Sequence, residues 1–334
     1  MFAEAIESIL MHHCTPAAVR AIESGASAQT LANAISEAGF HDLLTPEDRG
    51  GGGAGWREFF DVVILCGAYA VPLPLAQTLA ARAVAADSRE LPPGLIAFAP
   101  ILTRDHGGTL LAPDVPAALT ASHVIAAQGE GLTLLHVADA EQLPSGVHGS
   151  LACSLRWQPD AGKPLRSALD AQAFQGIGAL LQAGLLAGSM KRVFGLTMSY
   201  ANDRVQFGRP IGKFQAIQHQ LSVMAQHVAA AQIAAEAAFA CDGPYPALAA
   251  CAVAKSRTSE AAQLVASIGH AVHGAIGITE EYDLQLHTRR LHESRMAHGS
   301  EVYWNRILGR LLIDSKEPLA PDFVRLIWTR DGAT

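Results

Sequence analysis

Charge and large rings are both scarce in this sequence. Asp, Glu, Lys and Arg make up 16% of its 334 residues and the aromatic residues 6%, whereas half the chain is apolar, dominated by Ala, Leu and Val. Small aliphatic side chains in that proportion suit close-packed helices. No run of Lys or Arg is present, and 24 basic residues against 31 acidic ones leave a formal charge of -7. The basic stripe that nucleic-acid binding needs is therefore missing. The five cysteines (Cys14, Cys66, Cys153, Cys241, Cys251) are scattered and form no CxxC pair. That pattern excludes a disulfide framework and a cysteine-held zinc site, and the expected compartment is a reducing cytoplasm. The N-terminal segment carries acidic residues and no basic stretch leading into an apolar one, so no secretory signal is expected. A long uncharged run, between Asp170 and Lys191, is interrupted by Gln172, Gln175, Gln182 and Ser189. A buried core helix, and no membrane span, is the expectation there.

The length fits about two domains of roughly 150 residues, or three smaller ones sharing an interface. Helical periodicity marks 3–12, 16–24, 28–38, 56–70 and 75–86, giving an N-terminal helical domain over 1–92. From 93 to 165 the pattern changes to short apolar runs (95–99, 109–112, 123–127, 132–137, 151–157) separated by Gly, Pro and Asp. About five short strands in a small middle β domain are expected. Residues 166–334 return to helical periodicity over 169–203, 212–241, 246–273 and 293–314, with a turn at Gly243-Pro-Tyr-Pro246. The expected fold class is α+β, ending in a C-terminal four-helix bundle. On its third long helix, Ala247, Ala250, Cys251, Ala254, Thr258, Ala261 and Val265 form a stripe of small residues that lets neighbours approach.

Several motifs carry little chemistry. Gly50 to Gly55 satisfies GxGxxG through glycine density alone, with no strand before it, and reads as a flexible loop. His270, His273, His287, His292 and His298 cluster in sequence without metal-ligand spacing, so no metal is expected. No GxSxG elbow is present. The segment Arg204-Val-Gln-Phe-Gly-Arg-Pro-Ile-Gly-Lys-Phe-Gln215 lies between two long helices. By local physics it is a helix hairpin in which Phe207 and Phe214 pack while Arg204 and Arg209 are solvated.

That segment also resembles the RxxFGxxIxxFQ signature of the acyl-CoA dehydrogenase family. A second stretch, His273-Gly-Ala-Ile-Gly-Ile-Thr-Glu-Glu-Tyr-Asp-Leu284 with Arg289-Arg290, is similar to the family's HGGxGYTxEYxLxxxxRR. A third, Leu43-Leu-Thr-Pro-Glu-Asp-Arg-Gly-Gly51, looks like its PEeyGGlG loop. The three matches fall in the family's order and span most of the chain.

The resemblance implies FAD-dependent oxidation of an acyl-CoA thioester to the α,β-enoyl-CoA, with a Glu as base. It implies that Arg204 and Phe207 reach a neighbouring subunit's FAD, and that the Gly274, Ala275 and Gly277 turn and Ser300 also lie at the cofactor. Ala275 departs from the family's second glycine, and Ala271 stands where a Gln is usual. The family Glu precedes a Gly-Thr pair, and the matching residues are Ala297-His298-Gly299-Ser300, which puts His298 at the base position. The family's alternative carboxylate position falls on Gly178, followed by Ala179. The middle domain is short and lacks the Thr-Glu-Pro-x-x-Gly-Ser-Asp stretch that meets the flavin in relatives. These departures resemble the non-catalytic subunits of heteromeric (α2β2) acyl-CoA dehydrogenases, so a Glu-bearing partner subunit is expected. An electron-transfer flavoprotein is the expected acceptor. Two other readings stay open: a homo-oligomer with His298 as base, and a scaffold that binds CoA esters or proteins without redox activity.

Overall fold

The computed structural model describes residues 2–129, 131–317 and 319–328. The chain divides into two compact units, Met1–Val62 with Val71–Leu181, and Val63–Ala70 with Gln182–Thr334.

The first unit begins with α1 (Phe2–His13), α2 (Pro16–Glu23) and α3 (Gln29–Glu37), followed by α4 (Trp56–Ala68), which passes into the second unit at Val63, and α5 (Leu75–Val84). Thr15 caps α2 by accepting from the Ala18 amide at 3.3 Å, with Pro16 at the first helical position, where its missing N–H costs nothing. The strands come next: β1 (Ile96–Ala99), β2 (Thr103–Arg104), β3 (Leu110–Val115), β4 (His123–Gln128), β5 (Gly131–His136), β6 (Glu141–Pro144), β7 (Cys153–Trp157) and β8 (Lys163–Leu165). One sheet has the order β1-β4-β5-β8, with β1 and β4 parallel, and the other β2-β3-β7-β6. Alternate side chains of these strands, including Ala97, Leu110, Val124, Leu135, Leu155 and Trp157, form one buried cluster. The Trp157 indole satisfies its N–H on the His136 carbonyl at 2.8 Å. Three strands escape an apolar-run reading because β2 and β6 are fully exposed and β8 buries only Leu165. They lie at sheet edges, where polar residues are the rule.

The second unit holds most of α6 (Ala171–Asp203), a two-residue hairpin of β9 (Val205–Gln206) and β10 (Arg209–Pro210), then α7 (Gln215–Phe239), α8 (Leu248–His273), α9 (Leu284–Met296), α10 (Glu301–Asp314) and α11 (Ala320–Trp328). Its core joins Leu186, Met190 and Val193 of α6 to Met224 of α7, Val265 of α8 and Leu291 of α9. The small residues from Ala250 to Val265 are buried as their spacing implies, whereas Ala247 is exposed as the N-cap, and α8 packs against α7, α9 and α10. At the contact of α4 with α6, a Cβ on Gly188 would sit 1.9 Å from the Ile64 carbonyl oxygen. Only glycine permits that approach. Among the described residues, two helices, α6 and α8, are long and apolar enough to cross a membrane by length and composition. The apolar window of α6 is 83% buried inside the protein, which suits a core helix.

One expectation needs correcting. The single helix read over 293–314 is two helices, α9 and α10, interrupted at 297–300. His298 (φ +55°) and Gly299 (φ +92°) take left-handed backbone, which no helix continues.

Candidate functional site

Three segments of the second unit carry the residues singled out by sequence. At the first, the Arg204 amide donates to the Tyr200 carbonyl (2.9 Å) and the Ile211 amide to the Arg204 carbonyl (2.8 Å), closing the base of the hairpin. Its two turn residues are Phe207 (φ +50°) and Gly208 (φ +77°). Positive φ at both is the geometry of a type I′ turn, which favours Asn or Gly at the first position. Phe207 takes that strained place with its side chain 92% exposed. The Arg209 guanidinium lies 4.2 Å from the centre of the Phe214 ring, and Phe207 meets that ring edge-on at 6.2 Å. Of the packing foreseen from local physics, Phe214 is half-buried and engaged by both Phe207 and Arg209, whereas Phe207 stays largely exposed. Arg204 is exposed.

At the second segment, His273 ends α8, and its ring stacks on Tyr200 with centroids 4.5 Å apart. Its Nδ1 lies 2.7 Å from the Gly269 carbonyl oxygen, which can only accept, so Nδ1 carries the proton. Nε2 then accepts from the Tyr282 hydroxyl at 3.3 Å. Burial lowers the His273 pKa, consistent with this neutral tautomer. The Tyr200, His273 and Tyr282 rings thus tie the turn of Arg204 on α6 to the glycine turn after α8. Tyr200 was not singled out by sequence. Its only signal is its place four residues before Arg204, one helical turn away.

In the glycine turn, Gly274 adopts φ +64° and ψ -141°, a conformation side chains rarely allow, and open space surrounds it. Ala275 is exposed beside it. Gly277 faces inward: a Cβ there would meet His273 Cβ at 2.9 Å and Leu284 Cδ2 at 3.1 Å. Its lack of a side chain thus serves packing within this chain.

The third segment is the bend 297–300. His298 is 1% exposed, and its carbonyl accepts from the Trp304 indole at 2.9 Å. Gly299 is required both by its φ and by space, since a Cβ would lie 2.6 Å from Tyr303 Cδ1. Ser300, half-buried, starts α10. Arg295 and Glu301 form an ion pair across the bend, which holds the Glu301 carboxyl below its usual range. From α8 the wholly buried Lys255 donates to the carbonyls of Ser294 and Arg295. Sequence reading missed Lys255, because a lone Lys amid small residues looks like a solvated position. On α9, burial pushes the His287 pKa down to about 3.

The acyl-CoA dehydrogenase C-terminal domain family matches residues 171–312. The chain is 32% identical over 302 residues to acyl-CoA dehydrogenase IpdE2 of Mycolicibacterium smegmatis, covering 89% of this chain and 93% of that one. It is 33% identical to IpdE2 of Mycobacterium tuberculosis, with 88% and 91% covered. Among solved structures, the fold is similar to the Tcur3481-Tcur3483 steroid ACAD (TM-score 0.80, 22% identity, 93% and 96% covered). It is also similar to the ChsE4-ChsE5 complex from Mycobacterium tuberculosis (TM-score 0.78, 20% identity, 94% and 97% covered). With motifs, fold and near full-length relatives in agreement, the chain belongs to the acyl-CoA dehydrogenase family of FAD-dependent oxidoreductases.

Proposed function

We propose that this chain is one subunit of a heteromeric acyl-CoA dehydrogenase that oxidises an acyl-CoA thioester to its α,β-enoyl form. In this reading the chain presents Arg204, Phe207 and the surface at Gly274 and Ala275 to FAD at an interface with a partner, and the partner supplies the Glu base. The chemistry that FAD supplies when bound is hydride acceptance from the β-carbon of the thioester.

The observation that carries the proposal is Phe207. A large apolar ring, 92% exposed, sits on a left-handed turn residue whose backbone costs a free chain stability. Such a ring makes physical sense when something covers it. Arg204 stands at the base of the same hairpin with its guanidinium in solvent, and the Tyr200 and His273 stack joins it to the open backbone at Gly274. An exposed guanidinium, an exposed ring and a strip of accessible backbone fit a flavin nucleotide, whose diphosphate needs charge and whose rings need close approach.

The reading of His298 as base is the second possibility. A base must reach the α-proton of its substrate, and the 1% exposure of His298 counts against it. Position 178, where some relatives carry the carboxylate, is glycine. A steroid side chain is a candidate acyl group, since one fold neighbour is a steroid ACAD. An electron-transfer flavoprotein is the candidate acceptor.

The test is to purify the chain alone and together with a Glu-bearing acyl-CoA dehydrogenase subunit, and to record flavin absorbance. Little FAD alone and a yellow complex are expected. Stoichiometric FAD on the lone chain would overturn the proposal.

A further inference from the structure

A cleft of about 360 Å³ opens in the first unit beside the glycine-rich loop, lined by Asp42, Thr45, Arg49, Arg82, Ser88 and Arg89. Three guanidinium groups against a single lining carboxylate is an unusual concentration in a chain of net charge -7.

Arg82, on α5, is the telling member. Its side chain is only 9% exposed, and Nη1 donates to the carbonyls of Ser88 (3.0 Å) and Leu91 (3.5 Å). Its buried Nε has no hydrogen-bond partner among the described residues. The nearest carboxylate oxygen, Asp42 Oδ1, lies 3.8 Å away on a side chain that is 57% exposed. A guanidinium taken out of water with its counter-ion beyond hydrogen-bond reach and half in solvent is under-compensated. Burial accordingly lowers the Arg82 pKa, with Asp42 opposing. His41 lies close enough for Arg82, after burial, to lower its pKa too, and its Nε2 likewise lacks a partner among the described residues.

Arg89 at the rim is oriented by Asp87 at 2.7 Å, and Arg49 is exposed. Leu91 and Pro93 add an apolar wall. The amides of Gly50, Gly51, Gly52 and Gly53 all bond to carbonyls of residues 42–47, so the loop does not cradle an anion through its backbone. Recognition here falls to side chains.

We propose that this cleft is a binding site for a phosphate monoester, its oxyanion paired with Arg82 and Arg49 and its organic part set against Leu91 and Pro93. A tetrahedral dianion matches the forked donors of two guanidinium groups and supplies the charge that Arg82 lacks. The inference does not depend on the flavin proposal, because it concerns only residues of the first unit.

The test is calorimetric titration of inorganic phosphate into the full chain at fixed, low ionic strength, since screening weakens every such contact. Saturable binding at one site is expected. Arg49→Gln removes a charge-assisted partner from an exposed position, where folding is not at risk, and should weaken binding about tenfold. Asp42→Asn removes the competing carboxylate and should tighten binding severalfold. Displacement of phosphate by CoA but not by dephospho-CoA assigns the site to the 3′-phosphate of CoA. Displacement by neither, with phosphate binding intact, assigns it to a free phosphate ester. Absence of saturable binding, or affinities unchanged in both variants, would overturn the proposal.

Discussion

The Lys255 ammonium of α8 lies 2.7 Å from the carbonyl oxygen of Arg295 and 2.8 Å from that of Ser294, in the last turn of α9. Those carbonyls have no partner within their own helix, and a buried cation satisfies them immediately before the bend that holds His298. Its third contact, 2.9 Å to the Ser259 hydroxyl, completes the three donors of the charged form. A neutral amine could keep all three contacts, donating to the two carbonyls and accepting from the hydroxyl.

Burial pulls the Lys255 pKa from 10.5 down to about 7, only partly offset by Glu301. Between those two values the unfolded chain holds more protons than the folded one, so the contribution of this group to stability rises with pH. It is complete above about pH 10.5 and lost as pH falls toward 7. Lys255→Met should be less stable than the parent by about 1–3 kcal/mol at neutral pH, because two buried carbonyls lose their donor. The gap should widen as pH is raised. Urea midpoints of both proteins at about pH 7 and pH 9 check this, and parallel pH slopes would refute it.

Gly299 offers a sharper steric test. A methyl group there meets the Tyr303 ring at 2.6 Å and Trp304 Nε1 at 2.9 Å on backbone at φ +92°. Gly299→Ala should cost more than about 2 kcal/mol, whereas Gly195→Ala, in open space on the exposed face of α6, should stabilise by about 0.5–1 kcal/mol. Chemical denaturation of the two variants side by side separates backbone strain from any general effect of the added methyl.

If the partner owns the chemistry, His298→Ala should lower the stability of the chain, because a buried side chain is lost, yet leave turnover per assembled complex within a few-fold. Steady-state rates normalised to bound flavin are the measurement. A fall of about a hundredfold, the usual scale for removing a general base, would restore the histidine-base reading.

Much of this architecture was legible because it repeats a simple pattern. The small-residue stripe from Ala250 to Val265 announced α8 and its close neighbours, and the short apolar runs announced β1, β3, β4, β5 and β7. The Arg204 and His273 motifs pointed to two segments that the Tyr200 stack brings together. What escaped detection rests on properties that no period encodes. The break between α9 and α10 depends on left-handed backbone at His298 and Gly299, two adjacent residues in an otherwise helical run. Lys255 escaped because only tertiary packing turns a nominally solvated cation into an internal cap. The edge strands β2 and β6 expose both faces and leave no alternation to read.

Phe207 links stability to assembly, and the two can be separated by one substitution. Its left-handed conformation costs an L residue about 1–2 kcal/mol, a cost the adjacent Gly208 avoids. Asn is the residue a type I′ turn prefers at that position, and with the Phe207 ring 92% exposed little buried area would be lost. Phe207→Asn should therefore raise the stability of the isolated chain by about 1 kcal/mol, less whatever the edge contact with Phe214 contributes. If the ring exists to be covered at an interface, the same variant should assemble poorly with its partner and retain less FAD. Arg204→Ala, which leaves the turn intact, should leave the stability of the chain within about 0.5 kcal/mol. It should still weaken FAD binding by one to two orders of magnitude, the scale of a lost charge-assisted phosphate contact of roughly 1.5–3 kcal/mol. Thermal unfolding of the lone variants, together with FAD titration of the apo complexes, measures both halves. A Phe207→Asn chain that is more stable alone yet binds flavin as well as the parent in complex would leave the strained ring without the role assigned to it.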